Sequence, residues 1–257
     1  MSARVRAPVT DLDEGVRLLA PEAGHYLGRV LRLVVGDTFV AFDPSAAREA
    51  DAWIEQIDES TCVINVGPLR GAAIVAERSI TWVQGLAKGD KCDAIVRDAT
   101  ELGATTILVA TCARSVVRLD AEKAGARRDR WVRIAREAAR QSGRGDAPGV
   151  DVCSWGEAMT RANGSARFCL DEQAEALLGT PLLAALATEG SLAFAAGPEG
   201  GLDESEITDA ILAGWTVTSL GKIILRTETA AAAVLGAVRV WGTLSPVAQC
   251  CREGEIR

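Results

Sequence analysis

Leu192-Ala-Phe-Ala-Ala-Gly197-Pro-Glu-Gly-Gly201 runs from an apolar, strand-like segment straight into a glycine-rich turn. Asp203 and Glu204 follow Leu202 and suit the first turn of a helix, where carboxylates meet the positive end of the dipole. The strand signal then returns in Thr216-Val-Thr-Ser-Leu220, a second loop spans residues 221–229, and an apolar helix starts at Ala230. Two strand–loop–helix junctions in tandem predict two loops at the carboxyl edge of one parallel sheet, where open α/β folds bind ligands. Gly200 and Gly201 can take a positive φ and let a ligand approach bare backbone, and Pro198 stiffens the entry to the turn. Taken alone, such a turn fits a plain connection as well as a ligand loop.

Upstream, the same alternation begins at Ser79. Residues 80–84 read as a strand, and 90–102 as a helix closed by Gly103. Residues 105–110 form a strand before a long helix ending near Gly143; 166–170 are strand and 181–187 helix. Five strands alternating with helices predict a three-layer α/β domain on a parallel sheet. Residues 1 to about 70 differ. Strand signals at 38–42, 52–57 and 62–66 surround a helical stretch at 21–32, so this part reads as small and β-rich. Residues 68–73, rich in glycine and alanine, are the expected linker, which divides the chain into domains at 1–72 and 73–246.

The chain has 257 residues, 48% hydrophobic and 25% charged, enough for two modest cores. No stretch approaches the length of a membrane span, so no membrane partner is expected. Seven cysteines form no CxxC pair, and His25 is the single histidine, which leaves little for a zinc site; no metal is expected, and reduced thiols point to the cytoplasm. A net charge of −7 argues against coating nucleic acid indiscriminately, though not against a local basic face. Two such clusters stand out. On a helical wheel Arg133, Arg136, Arg140 and Arg144 fall within an arc of roughly 80°, opposite Trp131, Ile134, Ala135, Ala138 and Ala139. That row fits phosphate contact and also fits a solvated face. His25, Arg29 and Arg32 form the other, three to four residues apart on the helical stretch of the small domain.

The Gly197 to Gly201 turn, paired with Leu220-Gly-Lys-Ile-Ile-Leu-Arg-Thr-Glu-Thr-Ala230, resembles the paired signatures of the SPOUT-class methyltransferases, and more narrowly of the RsmE family. Further segments extend the resemblance over about nine tenths of the chain: the opening Arg4-Val-Arg6, Gly24-His-Tyr-Leu-Gly-Arg-Val-Leu-Arg32, Lys88-Gly-Asp-Lys-Cys-Asp93, Ala99-Thr-Glu-Leu-Gly103 and Gln141-Ser-Gly-Arg144. The family methylates N3 of a uridine in small-subunit rRNA with S-adenosylmethionine. The resemblance implies an N-terminal PUA-like β-barrel that grips RNA and a SPOUT-type parallel sheet with a C-terminal trefoil knot. It also implies a homodimer and, as partner, small-subunit rRNA or the assembled 30S particle. The cofactor would be cradled by Leu170, Gly197, Glu199, Gly200, Gly201, Leu220, Gly221, Ile224, Leu225 and Thr229. RNA would meet Arg4, Arg6, His25, Arg29, Arg32, Arg133, Arg136, Arg140 and Arg144. Two positions depart from the family: Arg140 stands where a glutamate is usual, and Ile223 where an arginine is frequent.

Uridine N3 keeps its proton at neutral pH, so the reaction needs a base or a charge that stabilises the uridine anion. The second domain has no histidine, which leaves carboxylates and arginine. Arg226 and Glu228 sit two apart in the loop before the last helix and are the candidate catalytic pair, with Glu199 next; a helix cap is the competing role for Glu228. Residues 230–244 are apolar almost all round, more than one packed face needs, which itself predicts a partner surface. A non-catalytic RNA-binding protein and a nucleotide-binding α/β enzyme are the rival readings.

Overall fold

A computed structural model describes residues 5–58, 60–116 and 120–242; Arg4 and Leu244 lie outside them. These residues fall into two compact units. One takes the chain up to Val75 together with Arg136–Ala147, and the other takes Ala76–Ala135 and everything from Pro148 on.

The first unit contains β1 (Arg6–Pro8), β2 (Gly15–Leu18) and α1 (Pro21–His25), whose last turn widens into a π-helical turn over Tyr26–Val30. Then come β3 (Thr38–Asp43), β4 (Arg48–Ile57), β5 (Cys62–Val66) and β6 (Arg70–Gly71). The strands form one sheet in the order β1-β3-β4-β5-β2, with β6 paired to β4. Period-two alternation is the reason these segments are strands: Ala50, Ala52 and Ile54 of β4 and Cys62, Ile64 and Val66 of β5 all point into one core with Phe39 and Leu27. Two expectations are corrected here. The stretch at 68–73 is not a free linker, because β6 pairs with β4 and Arg70 reaches Glu49 at 3.0 Å and Asp51 at 3.0 Å. The helix expected over 21–32 ends at Val30, and Arg32, with φ of 57°, leaves it in the left-handed region.

The second unit holds β7 (Ile80–Gly85), α2 (Lys91–Glu101), β8 (Thr106–Thr111) and the first part of α3 (Ala121–Gln141). It continues with β9 (Gly149–Ser154), α4 (Trp155–Arg161), β10 (Ala166–Leu170), α5 (Gly179–Leu186), β11 (Leu192–Ala196), α6 (Glu204–Leu212), β12 (Thr216–Thr218) and α7 (Thr227–Gly242). All six strands are parallel, in the order β12-β10-β11-β7-β8-β9. The sixth strand, β9, and the helix α4 behind it are absent from the five-strand reading. β7 and β11 are buried along their whole length, as central strands of a parallel sheet covered on both faces must be. Alternation sorts their side chains. Ile80 and Trp82 join Phe194 under α2, α5 and α7, whereas Val83, Ala193 and Ala195 face Trp155 and Met159 of α4 and Ala210 of α6. The result is helix, sheet and helix in three layers. The junction after Gly201 folds as read: Asp203 caps α6, its carboxylate accepting from the Glu206 N–H, and Glu206 answers to the Asp203 N–H at 3.0 Å.

Glu49 of β4 links acidity to the stability of the first unit. Burial pushes its pKa up, but bonds from the Ala73 N–H, Arg6 and Arg70 outweigh that and hold the carboxyl below its ordinary value. A depressed folded-state value means stabilisation present at neutral pH and lost as pH falls through the acidic range, once the carboxylate is protonated. The protection factors of residues 48–57 in hydrogen exchange, corrected for the intrinsic rate at each pH, should therefore fall on acidification, and Glu49→Gln should show lower protection at pH 7 with a flatter pH dependence.

Candidate active site

β12, β10 and β11 are neighbours, and the loops leaving their carboxyl ends enclose a cavity of about 580 Å³. One wall is the turn after β11. Gly201 has a φ of 70°, a conformation that strains any residue with a side chain, and a Cβ there would also lie 3.3 Å from Glu172 Oε1. The turn is also seated tightly on the sheet, since a Cβ on Gly85 at the end of β7 would come within 2.5 Å of the Pro198 ring. The opposite wall is the loop after β12, where Leu220, Gly221, Ile224 and Leu225 line the cavity beside Leu170 from the end of β10.

Most of the residues expected at a cofactor site therefore come together: Leu170, Gly197, Glu199, Gly201, Leu220, Gly221, Ile224 and Leu225 all line this one cavity. Gly200 and Thr229 do not. The Gly200 carbonyl instead accepts from Arg114 Nη1 at 3.2 Å, and Thr229 is exposed on α7. Of the candidate catalytic pair, Arg226 lines the cavity and Glu228 stands just behind it, half-buried. The sequence reading overlooked Lys91, the first residue of α2. Its ammonium bridges two of the expected carboxylates, 3.0 Å from Glu199 Oε1 and 3.9 Å from Glu228 Oε2. Among the described residues no hydrogen-bond donor reaches that buried Glu228 oxygen. Burial raises the Glu199 pKa, yet bonds from its own N–H, from Lys91 and from the Lys88 N–H at 3.2 Å leave it below the ordinary carboxylate range. Glu199 is thus a fixed anion, occupied by its neighbours, which suits it to holding Lys91 rather than to taking up a proton.

Also overlooked are the groups that tie the two loops together. Gln84 is fully buried at the end of β7, and its amide donates to Gly85 O, Gly197 O and Thr227 Oγ1 at 3.0, 3.2 and 2.7 Å. The Thr227 hydroxyl in turn donates to Gly197 O at 2.9 Å.

The basic residues are sorted differently from the expectation. In the first unit His25, Arg29 and Arg32 are exposed, and His25 and Arg29 line a second cavity of about 430 Å³ with Asp58, Ser60 and Thr61. Arg6 is turned inward, paired with Glu49 at 2.9 Å and stacked over the Phe42 ring. Arg144 does not continue the row on α3, which ends at Gln141; it is buried and paired with Asp146 at 2.7 Å. Arg140 lies over the Tyr26 ring and pairs with Glu137, while Arg133 and Arg136 remain exposed on the helix. Among the described cysteines, Cys92, Cys153 and Cys169 are buried, and burial pushes their thiols up to about 11, 11 and 12, which keeps them inert.

Known proteins match both units. Residues 76–239 match the RNA methyltransferase domain family, and residues 19–67 the RNA methyltransferase PUA domain family. Ribosomal RNA small subunit methyltransferase E of Bacillus subtilis is 32% identical over 225 residues, covering 84% of this chain and 87% of its own length. The protein of the same name from Mycobacterium bovis is 34% identical, covering 88% of this chain and 86% of its own. The crystal structure of ribosomal RNA small subunit methyltransferase E from Neisseria gonorrhoeae bound to S-adenosyl methionine superposes with a TM-score of 0.78 at 27% identity, over 93% of this chain and 98% of that one. With a cavity walled by two loops at the edge of a parallel sheet, and these matches over most of its length, the chain belongs to the RNA methyltransferase family that includes ribosomal RNA small subunit methyltransferase E.

Proposed function

We propose that this chain transfers a methyl group from S-adenosylmethionine to N3 of a uridine in small-subunit ribosomal RNA. The observation that carries the reading is the cavity between the two loops, where bare glycine backbone and apolar side chains meet Lys91, Asp171, Glu172, Glu199 and Arg226. It fits the cofactor on this structure's own terms: a side chain at Gly201 would project toward Glu172 and narrow the space. Leu170, Gly197, Gly201, Leu220, Ile224 and Leu225 would hold it, with Gly221 giving the second loop its turn at a φ of 106°. Bound there, S-adenosylmethionine supplies an electrophilic methyl group on a sulfonium. Arg226 offsets the negative charge that develops on a uracil oxygen as N3 loses its proton, and Glu228 accepts that proton, directly or through water. Lys91, pinned by Glu199, keeps a cation beside Glu228.

His25, Arg29, Arg32, Arg133, Arg136 and Arg140 contact the RNA in this reading; Arg6 and Arg144 serve the fold, because their side chains are turned inward onto carboxylates, whereas Arg140 keeps a third of its side chain exposed. Further parts of the proposal are a barrel-shaped first domain, a trefoil knot through the loops after β11 and β12, a boundary near residue 72, and work in the cytoplasm. A homodimer belongs to it as well. Support for that comes from Ile223, Ile224, Val240 and Trp241, which expose 81%, 78%, 61% and 44% of their surface next to the cavity loops and along α7.

The test is nucleoside mass spectrometry of small ribosomal subunits incubated with the protein and S-adenosylmethionine: N3-methyluridine should appear, and RNA binding without it would favour the non-catalytic rival. Gly201→Val should abolish cofactor binding measured by calorimetry while the fold persists, because a branched side chain cannot follow glycine to this φ. Arg226→Ala should lower the single-turnover rate on the order of 100-fold with cofactor affinity nearly intact, and Arg226→Lys should recover part of the rate. Arg133→Glu with Arg136→Glu should weaken RNA binding and flatten its dependence on salt, since fewer counterions are released.

A further inference from the structure

The reacting groups of the proposed chemistry sit on two separate loops. The residues that would hold the methyl donor come from both, Gly197 and Gly201 on the first and Leu220, Ile224 and Leu225 on the second, whereas Arg226 and Glu228 flank Thr227 at the start of α7. Nothing covalent fixes one loop against the other, since Gly197 and Thr227 are thirty residues apart. A chain of buried hydrogen bonds does so instead. Trp82, fully buried, donates from Nε1 to Gln84 Oε1 at 3.1 Å, which decides which way the Gln84 amide faces. Its nitrogen is thereby aimed at Gly197 O and Thr227 Oγ1. Thr227, 9% exposed, accepts from Gln84 and spends its own proton on the same Gly197 carbonyl. Three atoms from three parts of the chain, Gln84 Nε2, Gly197 O and Thr227 Oγ1, so form a closed triangle with edges of 2.7, 2.9 and 3.2 Å.

From this geometry we infer that Gln84 and Thr227 are a positioning pair for methyl transfer, setting the distance and angle between the Gly197 turn, which holds one side of the methyl donor, and the side chains of Arg226 and Glu228. The inference rests on the methyl-transfer reading and adds two residues to it. A core polar pair kept only for stability would have no need to end on the carbonyl of the cavity's first glycine and on the residue between Arg226 and Glu228. Neither side chain needs to touch a reacting atom. A shift on the order of 1 Å between the loops is enough to misalign an in-line transfer, at a cost of roughly 100-fold.

The experiment compares Thr227→Val, which keeps the shape and loses the hydroxyl, with Thr227→Ser, which keeps the hydroxyl, and with Gln84→Met. Each is assayed by single-turnover methylation of small subunits at saturating S-adenosylmethionine and by calorimetry of cofactor binding. Thr227→Val should lower the rate on the order of 10- to 100-fold with cofactor Kd within about threefold, and Thr227→Ser should recover most of the rate. Combining Gln84→Met with Thr227→Val should cost scarcely more than the worse single change, because both break one relay. If Thr227→Val does not fold, the same split between rate and affinity in Gln84→Met supports the inference, and equal losses in both overturn it. Full turnover by Thr227→Val, or equal impairment of Thr227→Ser, would overturn it while leaving the function standing. Absence of N3-methyluridine with the unsubstituted chain would overturn the methyl-transfer reading and this inference with it.

Discussion

The amide of Gln84 is the constraint on which the rest of the site depends. A polar side chain with no solvent exposure, in the middle of a sheet edge, costs free energy unless every polar atom is matched, roughly 1–3 kcal/mol for each one left unmade. Both of its polar atoms are matched: the oxygen accepts from Trp82, and the two N–H groups are shared among Gly85 O, Gly197 O and Thr227 Oγ1. Satisfying that one group forces the carboxyl ends of β7 and β11 and the start of α7 into a single arrangement. Gly85 must then be glycine, because Pro198 passes over it too closely for a Cβ. The cavity is what remains between loops pinned in this way.

Charge is distributed around the cavity with the same economy. Backbone and apolar side chains share its lining with Lys91, Asp171, Glu172, Glu199 and Arg226; Lys91 is held between Glu199 and Glu228, and Arg114 donates to the Gly200 carbonyl. Arg226, by contrast, is exposed and lines the opening itself. A cation placed at the edge of a partly enclosed site is more effective against a developing oxyanion than one in open water, since less solvent screens it.

Much of this was legible locally. The strand–glycine turn–helix junctions at 192–204 announced both the loop and the parallel sheet, because period, turn chemistry and helix cap agree over a dozen residues. Gly201 could be singled out since a positive φ there has few other solutions. What could not be read was everything that depends on long-range pairing. Gln84 is 143 residues from Thr227 and 113 from Gly197, and Lys91 was visible only as part of a helix entry. β9 escaped because Asp151 interrupts its apolar run and it pairs with a single neighbour at the sheet edge, so its buried positions are few. Arg144 was misplaced by extending the period of α3 past its end, and the π-helical turn after α1 broke the spacing that put Arg32 beside His25 and Arg29. In both cases the residue was right and the backbone assumed for it was not.

The same sorting explains how a chain with a net charge of −7 can act on RNA. Net charge describes the far field, whereas phosphate contact depends on which cations remain available. Arg6 and Arg70 are drawn to Glu49, Arg144 to Asp146 and Arg161 to Asp151, so these guanidinium groups are taken up by the fold's own carboxylates. Arg133 and Arg136 stay exposed on α3. Counting all basic residues together therefore hides a division of labour. Arginines paired with the fold's own acids close the structure, and those left on the surface give an acidic protein a local basic face without making it bind nucleic acid everywhere.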